Sequence, residues 1–164
     1  MAQQVTKKPC IIKLGEGAKI LEKRNKKTSE LLHELSSTSN IRDYFNRNGE
    51  HLIGVDLPTR LQQLIDKEGI SRSELAARAG LDRYYVYDIF SGRKIPGINK
   101  LMCIILTLGL DLNTAQELFH LAGRAELYPR FVRDSILIYA IQHHLTVDEA
   151  NLMLYERGQA PLTE

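Results

Sequence analysis

The richest recognition chemistry in this 164-residue chain sits in one octet, Arg83 to Phe90, which carries Arg83, Tyr84, Tyr87 and Asp88 at helical spacing. Val86 and Ile89 of that octet are apolar and three residues apart. If they face inward, a guanidinium, two phenols and a carboxylate share the outward face, with Tyr85 at its edge. Such groups form directional hydrogen bonds and stacking contacts. Catalytic and metal chemistry lack comparable support. His143 and His144 are adjacent rather than four apart, and His33, His51 and His120 are scattered. No glycine-rich phosphate loop or nucleophile motif occurs. Cys10 and Cys103 have neither metal-ligand nor redox spacing, and Cys103, in an apolar run, reads as a small core residue. We therefore expect no enzyme activity, cofactor or metal site.

The octet needs a frame, and the flanking text supplies helices with defined ends. Asp56 precedes a helix with Pro58 in its first turn and a stripe of Leu57, Leu61, Leu64 and Ile65, ending near Gly69. Ser71-Arg72-Ser73-Glu74 has the spacing of a capping box and opens a helix from Arg72 to about Arg78, which stops at Ala79-Gly80-Leu81. Asp82 caps the octet, and Ser91-Gly92 ends it. Two short helices joined by a tight glycine turn have helix-turn-helix spacing. Beyond Pro96-Gly97 the pattern predicts helices from about Ile98 to Leu108, from an Asn113 cap to Ala122, and from Arg130 to His143. A last helix opens at the capping box Thr146-Val147-Asp148-Glu149 and stops at Gly158. Upstream, Leu31, Leu32 and Leu35 mark a short helix that the Ser36 to Asn40 cluster breaks, and Ile41, Tyr44 and Phe45 start another; both are expected to dock onto the helices C-terminal to them. The fold class is all-α.

Composition fits an ordinary globular protein: 43% hydrophobic, 26% charged, and no apolar run long enough for a membrane span. The Cys10-Ile11-Ile12 run is far too short for a secretory signal, so a cytoplasmic location is expected. The net charge of +2 divides unevenly. Residues 1–50 carry 10 Lys/Arg against 6 Asp/Glu, residues 51–125 carry 9 against 8, and residues 126–164 carry 3 against 6. The expected organisation is a flexible basic tail over 1–27, with at most a short helix near Ala18 to Arg24, then short helices over 28–55. A helix-turn-helix domain comes next over 56–125, and a C-terminal helical hairpin packs on it over 126–164.

Residues 110–127 and 145–162 echo each other at an offset of 35. Leu110/Leu145, Ala115/Ala150, Gly123/Gly158, Ala125/Ala160 and Leu127/Leu162 are identical. Two stacked copies of a helical hairpin would produce this pattern, as would chance similarity between amphipathic helix pairs; two copies are too few for a solenoid.

Residues 57–123 resemble the lambda-repressor-like helix-turn-helix family, also called the Cro or XRE type. The matching text is Gly69 to Ala76, Ala79-Gly80-Leu81, Val86, Ile89, Ser91-Gly92-Arg93, Pro96 and the apolar helix ending at Leu108-Gly109-Leu110. The string Asp82 to Gly92 and the tail after Pro129 also look like a group of stand-alone bacterial helix-turn-helix proteins. The resemblance implies a transcriptional regulator, a homodimer on double-stranded DNA, with helix 83–90 in the major groove. Arg83, Tyr84, Tyr87 and Asp88 would then read bases, Arg83 by bonding two guanine acceptors. Arg72, Ser71, Tyr85, Ser91, Arg93 and Lys94 would hold the sugar-phosphate backbone. Arg72 stands where the family commonly has a glutamine.

Three tyrosines and an aspartate depart from the small, amide-rich set usual on such a face, and they keep a second reading open. In that alternative the chain is a protein-interaction adaptor whose tyrosine-rich face binds a partner protein. Asp88 suits a cytosine amino group but is repelled by a phosphate.

Overall fold

The computed structural model describes residues 26–52 and 54–163, which are helical with no strand among them. Cys10, the basic run Lys23-Arg24 and the short helix expected near Ala18 to Arg24 lie outside the described residues. The chain divides into two compact units at residues 53 and 54.

The first unit holds α1 (Thr28–Ser37), α2 (Ile41–Asn48) and a single 3-10 turn (Gly49–His51). The Lys26 ammonium donates to Glu34 Oε1 at 2.6 Å and to Asn48 Oδ1 at 2.7 Å, and the Asn48 amide donates to Glu34 Oε2 at 3.0 Å. This closed triangle ties α1 to α2 and satisfies Asn48, which is fully buried. Lys26, and next Asn48, hold the Glu34 carboxyl below its ordinary value. The serine cluster ends α1 as expected, with Thr38 extended as its C-cap. Ser36 and Ser37 lie within the helix, their hydroxyls bonded back to the carbonyls of Leu32 and Glu34.

The second unit contains α3 (Leu57–Glu68), α4 (Arg72–Arg78), α5 (Arg83–Phe90), α6 (Ile98–Thr107), α7 (Leu112–Leu121), α8 (Val132–Gln142) and α9 (Val147–Glu156). Asp56 caps α3 by accepting from the Thr59 amide at 2.9 Å, and Leu57, Leu61, Leu64 and Ile65 are buried. The α4–α5 turn depends on Gly80, whose φ of +63° is a conformation that side-chain-bearing residues rarely adopt. The Leu81 amide then donates to Ala76 O at 2.9 Å, closing the turn. α4 packs on α5 and α6, α3 on α5 and α7, and α6 also touches α7, α8 and α9. Every residue from Leu101 to Leu106 is consequently buried, Cys103 among them, and burial pushes the Cys103 thiol up.

One expected cap forms only in part and two expected boundaries change. Only half of the Ser71–Glu74 box forms: Ser71 Oγ accepts from the Glu74 amide at 3.1 Å, but the Glu74 carboxylate pairs with Arg78 one turn on. The α7 cap is Asp111 rather than Asn113, since the Asp111 carboxylate accepts from the Thr114 amide at 3.0 Å and Asn113 is already helical. α8 starts at Val132, two residues late, where the Asp134 carboxylate accepts from the Tyr128 amide at 2.9 Å and holds the preceding turn.

The 35-residue echo is a structural repeat. α7 and α9 begin and end at corresponding residues, and Gly123 and Gly158 end them with φ of +61° and +64°. Gln116 brackets the backbone of Leu127, donating to its carbonyl and accepting from its amide, both at 3.0 Å. Asn151, at the position equivalent to Gln116, accepts from the amide of Leu162, the equivalent of Leu127, at 2.7 Å. His144 takes φ +52° at the position of Gly109, φ +58°.

Candidate nucleic-acid interface

Helix α5 is oriented by what it buries. Val86, Ile89 and Phe90 enter the core, so Arg83 and Tyr84 project to solvent while Tyr85, Tyr87 and Asp88 lie half-buried beside them. Asp82 caps the helix by accepting from the Tyr85 amide at 2.9 Å, fixing the turn from which Arg83 leaves. Tyr84 is the most exposed of the group, at 81%.

Arg83 lies with its guanidinium 5.5 Å from the centre of the Tyr87 ring. That ring steadies the guanidinium beside α5, and the guanidinium also bonds the Tyr87 phenol. The Tyr87 hydroxyl is engaged inside the protein, 3.1 Å from Ser73 Oγ on α4. That contact, and next the nearby Arg83, lower the Tyr87 phenol from its ordinary value. Arg83, Tyr84, Tyr87 and Arg93 line an open depression of about 330 Å³.

Asp88 has a more specific role than the sequence suggests. Its carboxylate pairs with Arg93 at 2.8 Å and Lys94 at 3.2 Å. Its backbone carbonyl accepts from the amides of Arg93 at 2.9 Å and Lys94 at 3.2 Å, and from Ser91 Oγ at 3.1 Å. One residue thus holds Ser91, Arg93 and Lys94 of the loop after α5. The Lys94 ammonium also sits 5.5 Å from the Tyr85 ring. Asp88, Ser91, Arg93 and Lys94 therefore form one local network, in which one carboxylate offsets half the charge of two cations.

Arg72, at the first turn of α4, is held rather than loose. Its Nε and Nη2 donate to Gln62 Oε1 at 2.9 and 2.6 Å, its guanidinium stacks 5.0 Å from the Phe90 ring, and Gln62 Nε2 donates to Asp66 at 2.7 Å. Ser71 gives its hydroxyl to the α4 cap. The supporting residues Gln62, Ser73 and Phe90 were not legible in the sequence. Gln62 lies on the polar side of α3, Phe90 stands at the end of α5, and only the packing of α3 and α4 on α5 brings them to the arginine and tyrosine they position.

The helix-turn-helix family model matches residues 61–114, about a third of the chain, from within α3 to within α7. The Cro/C1-type match is the lambda-repressor-like family that the sequence resembles, and it supports DNA binding as the general activity of this segment. No curated protein and no solved structure matches the chain. Among the described residues no group of histidine, cysteine or acidic side chains could hold a metal, and no helix is long and apolar enough to cross a membrane.

Proposed function

We propose that this chain, whose residues 61–114 form a helix-turn-helix domain of the lambda-repressor-like type, is a sequence-specific transcriptional regulator that works as a homodimer on double-stranded DNA. In this reading α5 enters the major groove. Arg83, steadied by Tyr87, and Tyr84 contact base edges, while Arg72, Arg93 and Lys94 bracket the phosphates on either side. Ser71 and Ser91 contribute through the geometry of the α4 cap and the loop after α5. Tyr87 acts by positioning Arg83, and Asp88 by ordering the loop cations. The observation that carries this reading is the placement of a stacked arginine and a solvent-facing tyrosine on the outward side of α5, with Arg72 before it and Arg93 and Lys94 after it.

Selection of bound duplexes from a random pool, then titration of the chosen duplex, tests the assignment. Arg83→Ala should lose discrimination at one or two base positions, about 1–3 kcal/mol. An Arg83→Ala protein with undiminished preference overturns it. A partner protein on the same face remains the second reading, favoured by the 81% exposure of Tyr84 and the partial neutralisation of Arg93 and Lys94 by Asp88. Tyr84→Ala separates the two: loss of DNA binding alone supports the first, and loss of a host protein retained by the wild type supports the second.

A further inference from the structure

The repeat leaves open in its second hairpin a surface that is covered in its first. In the first hairpin, Leu101 and Ile104 of α6 and Leu118 of α7 are fully buried. Their equivalents 35 residues on are Ile136 and Tyr139 of α8 and Met153 of α9. These three, with Val132, Glu156 and Arg157, line an open groove of about 390 Å³. Tyr139 is 45% exposed and Val132 58%. Helix α8 is apolar around most of its circumference, as α6 is, yet no described element covers this side. A helix of that composition normally has neighbours on every side.

The chemistry of the groove selects its occupant. Glu156 and Arg157 are adjacent and exposed at its edge, and neither makes an ion pair among the described residues. The charges of α8 itself are engaged: Arg133 donates to Asn99 at 2.8 Å, and Asp134 accepts from Tyr128. An apolar strip bordered by one free anion and one free cation side by side is self-complementary under a two-fold axis, because each copy's arginine can meet the other's glutamate. Tyr128 and Phe131, an edge-to-face pair 5.6 Å apart, lie immediately before Val132 and are 49% and 62% exposed. Together with Tyr139 they offer on the order of 300–400 Å² of aromatic surface, enough for the apolar centre of an interface of about 800 Å² per partner.

We infer that the α8–α9 face is the self-association surface of the protein, and that its occupant is the same face of a second copy. This rests on the dimeric form of the functional reading above, and it names the surface that reading requires. No residue lining the groove belongs to α5.

Sedimentation of the full chain without DNA tests it. The wild type should be a dimer at micromolar concentration. Tyr139→Glu should weaken association by at least about tenfold while retaining helical circular dichroism. Glu156→Arg alone and Arg157→Glu alone should each weaken it through like-charge contact, and mixing those two proteins should restore a dimer of one copy of each. A wild type still monomeric at about 100 μM, a dimer indifferent to these changes, or a failure of the mixture to associate overturns the inference. Because both charge reversals are at exposed positions, they remain decisive if Tyr139→Glu fails to fold. A dimer that binds no DNA leaves this surface standing and refutes the DNA reading, while a monomer that binds DNA does the opposite.

Discussion

Replacing Asp88 with asparagine should tighten DNA binding, and the structure sets the size of the effect. The Asp88 carboxylate faces two cations, Arg93 at 2.8 Å and Lys94 at 3.2 Å, whose side chains are 70% and 54% exposed. Exposed pairs of this kind are each worth roughly 0.2–1 kcal/mol, so losing both costs at most about 2 kcal/mol of stability. The three bonds to the Asp88 backbone carbonyl survive, and the loop keeps its path. What changes is charge: the trio of Asp88, Arg93 and Lys94 gains one net positive unit, available for a phosphate. Each additional phosphate contact steepens the dependence of log K on log salt by about 0.9, so affinity should fall about 3.5-fold more between 50 and 200 mM salt than it does for the wild type. Fluorescence anisotropy titrations of the selected duplex and of a scrambled one, at four salt concentrations, read this directly. Asp88→Asn should gain affinity for both duplexes at low salt, leaving their ratio nearly unchanged. An unchanged salt slope would show that Arg93 and Lys94 do not face phosphates. A gain confined to one duplex would show that Asp88 reads a base, the role a carboxylate opposite cytosine would have.

Neighbouring contacts set three other expectations. Gln62→Ala frees Arg72 from its anchor, and binding should weaken by about the same factor on every sequence, about two- to fivefold, without altering base preference; a change in preference would move Arg72 to a base-reading role. His144→Gly removes a side chain from a φ of +52° and should raise stability by about 0.5–1 kcal/mol in urea unfolding, whereas a loss would mean that the His144 side chain makes contacts worth more than the strain. The N-caps Asp56 and Asp111 and the capping-box residue Glu149 all have carboxyls lowered from their ordinary values, the first by the Thr59 hydroxyl and amide, the second by the Thr114 amide and the third by the Thr146 amide. Groups whose folded values are depressed stabilise fully above the unfolded values, 3.8 for aspartate and 4.5 for glutamate, and lose that contribution as pH falls through the folded ones. The urea midpoint should therefore hold from neutrality to about pH 5 and then drop toward pH 3; in an Asp56→Asn, Asp111→Asn, Glu149→Gln triple variant the acid drop should be smaller, and an equal drop would exclude the caps as its source.

Much of this architecture is legible in one dimension. Helix periodicity, Asp56 and Asp82 as caps, and glycines at the left-handed positions 69, 80 and 92 depend on neighbours within a few residues, and α4 and α5 begin and end where those signals place them. Where the reading failed, two local candidates competed and only geometry chose. Asp111 and Asn113 can both cap, and Glu74 can bond back to the Ser71 backbone or forward to Arg78. In the same way, the 35-residue echo is visible as identities, but the matching roles of Gln116 and Asn151 are not, because the two residues differ and bond to chain 11 residues away.

For the outward face of α5, residue types and spacing alone place Tyr84, Tyr87 and Asp88 away from Val86 and Ile89, with Arg83 at the border, since helical pitch is a property of the backbone. Which of them remain available to a ligand is decided by tertiary contacts. Ser73 comes from α4 to take the Tyr87 hydroxyl, Gln62 comes from α3 to hold Arg72, and the chain folds back after Phe90 to set two cations against Asp88. A side chain's hydrogen-bonding capacity is finite, and how it is shared depends on groups that only the packed fold brings within about 3 Å.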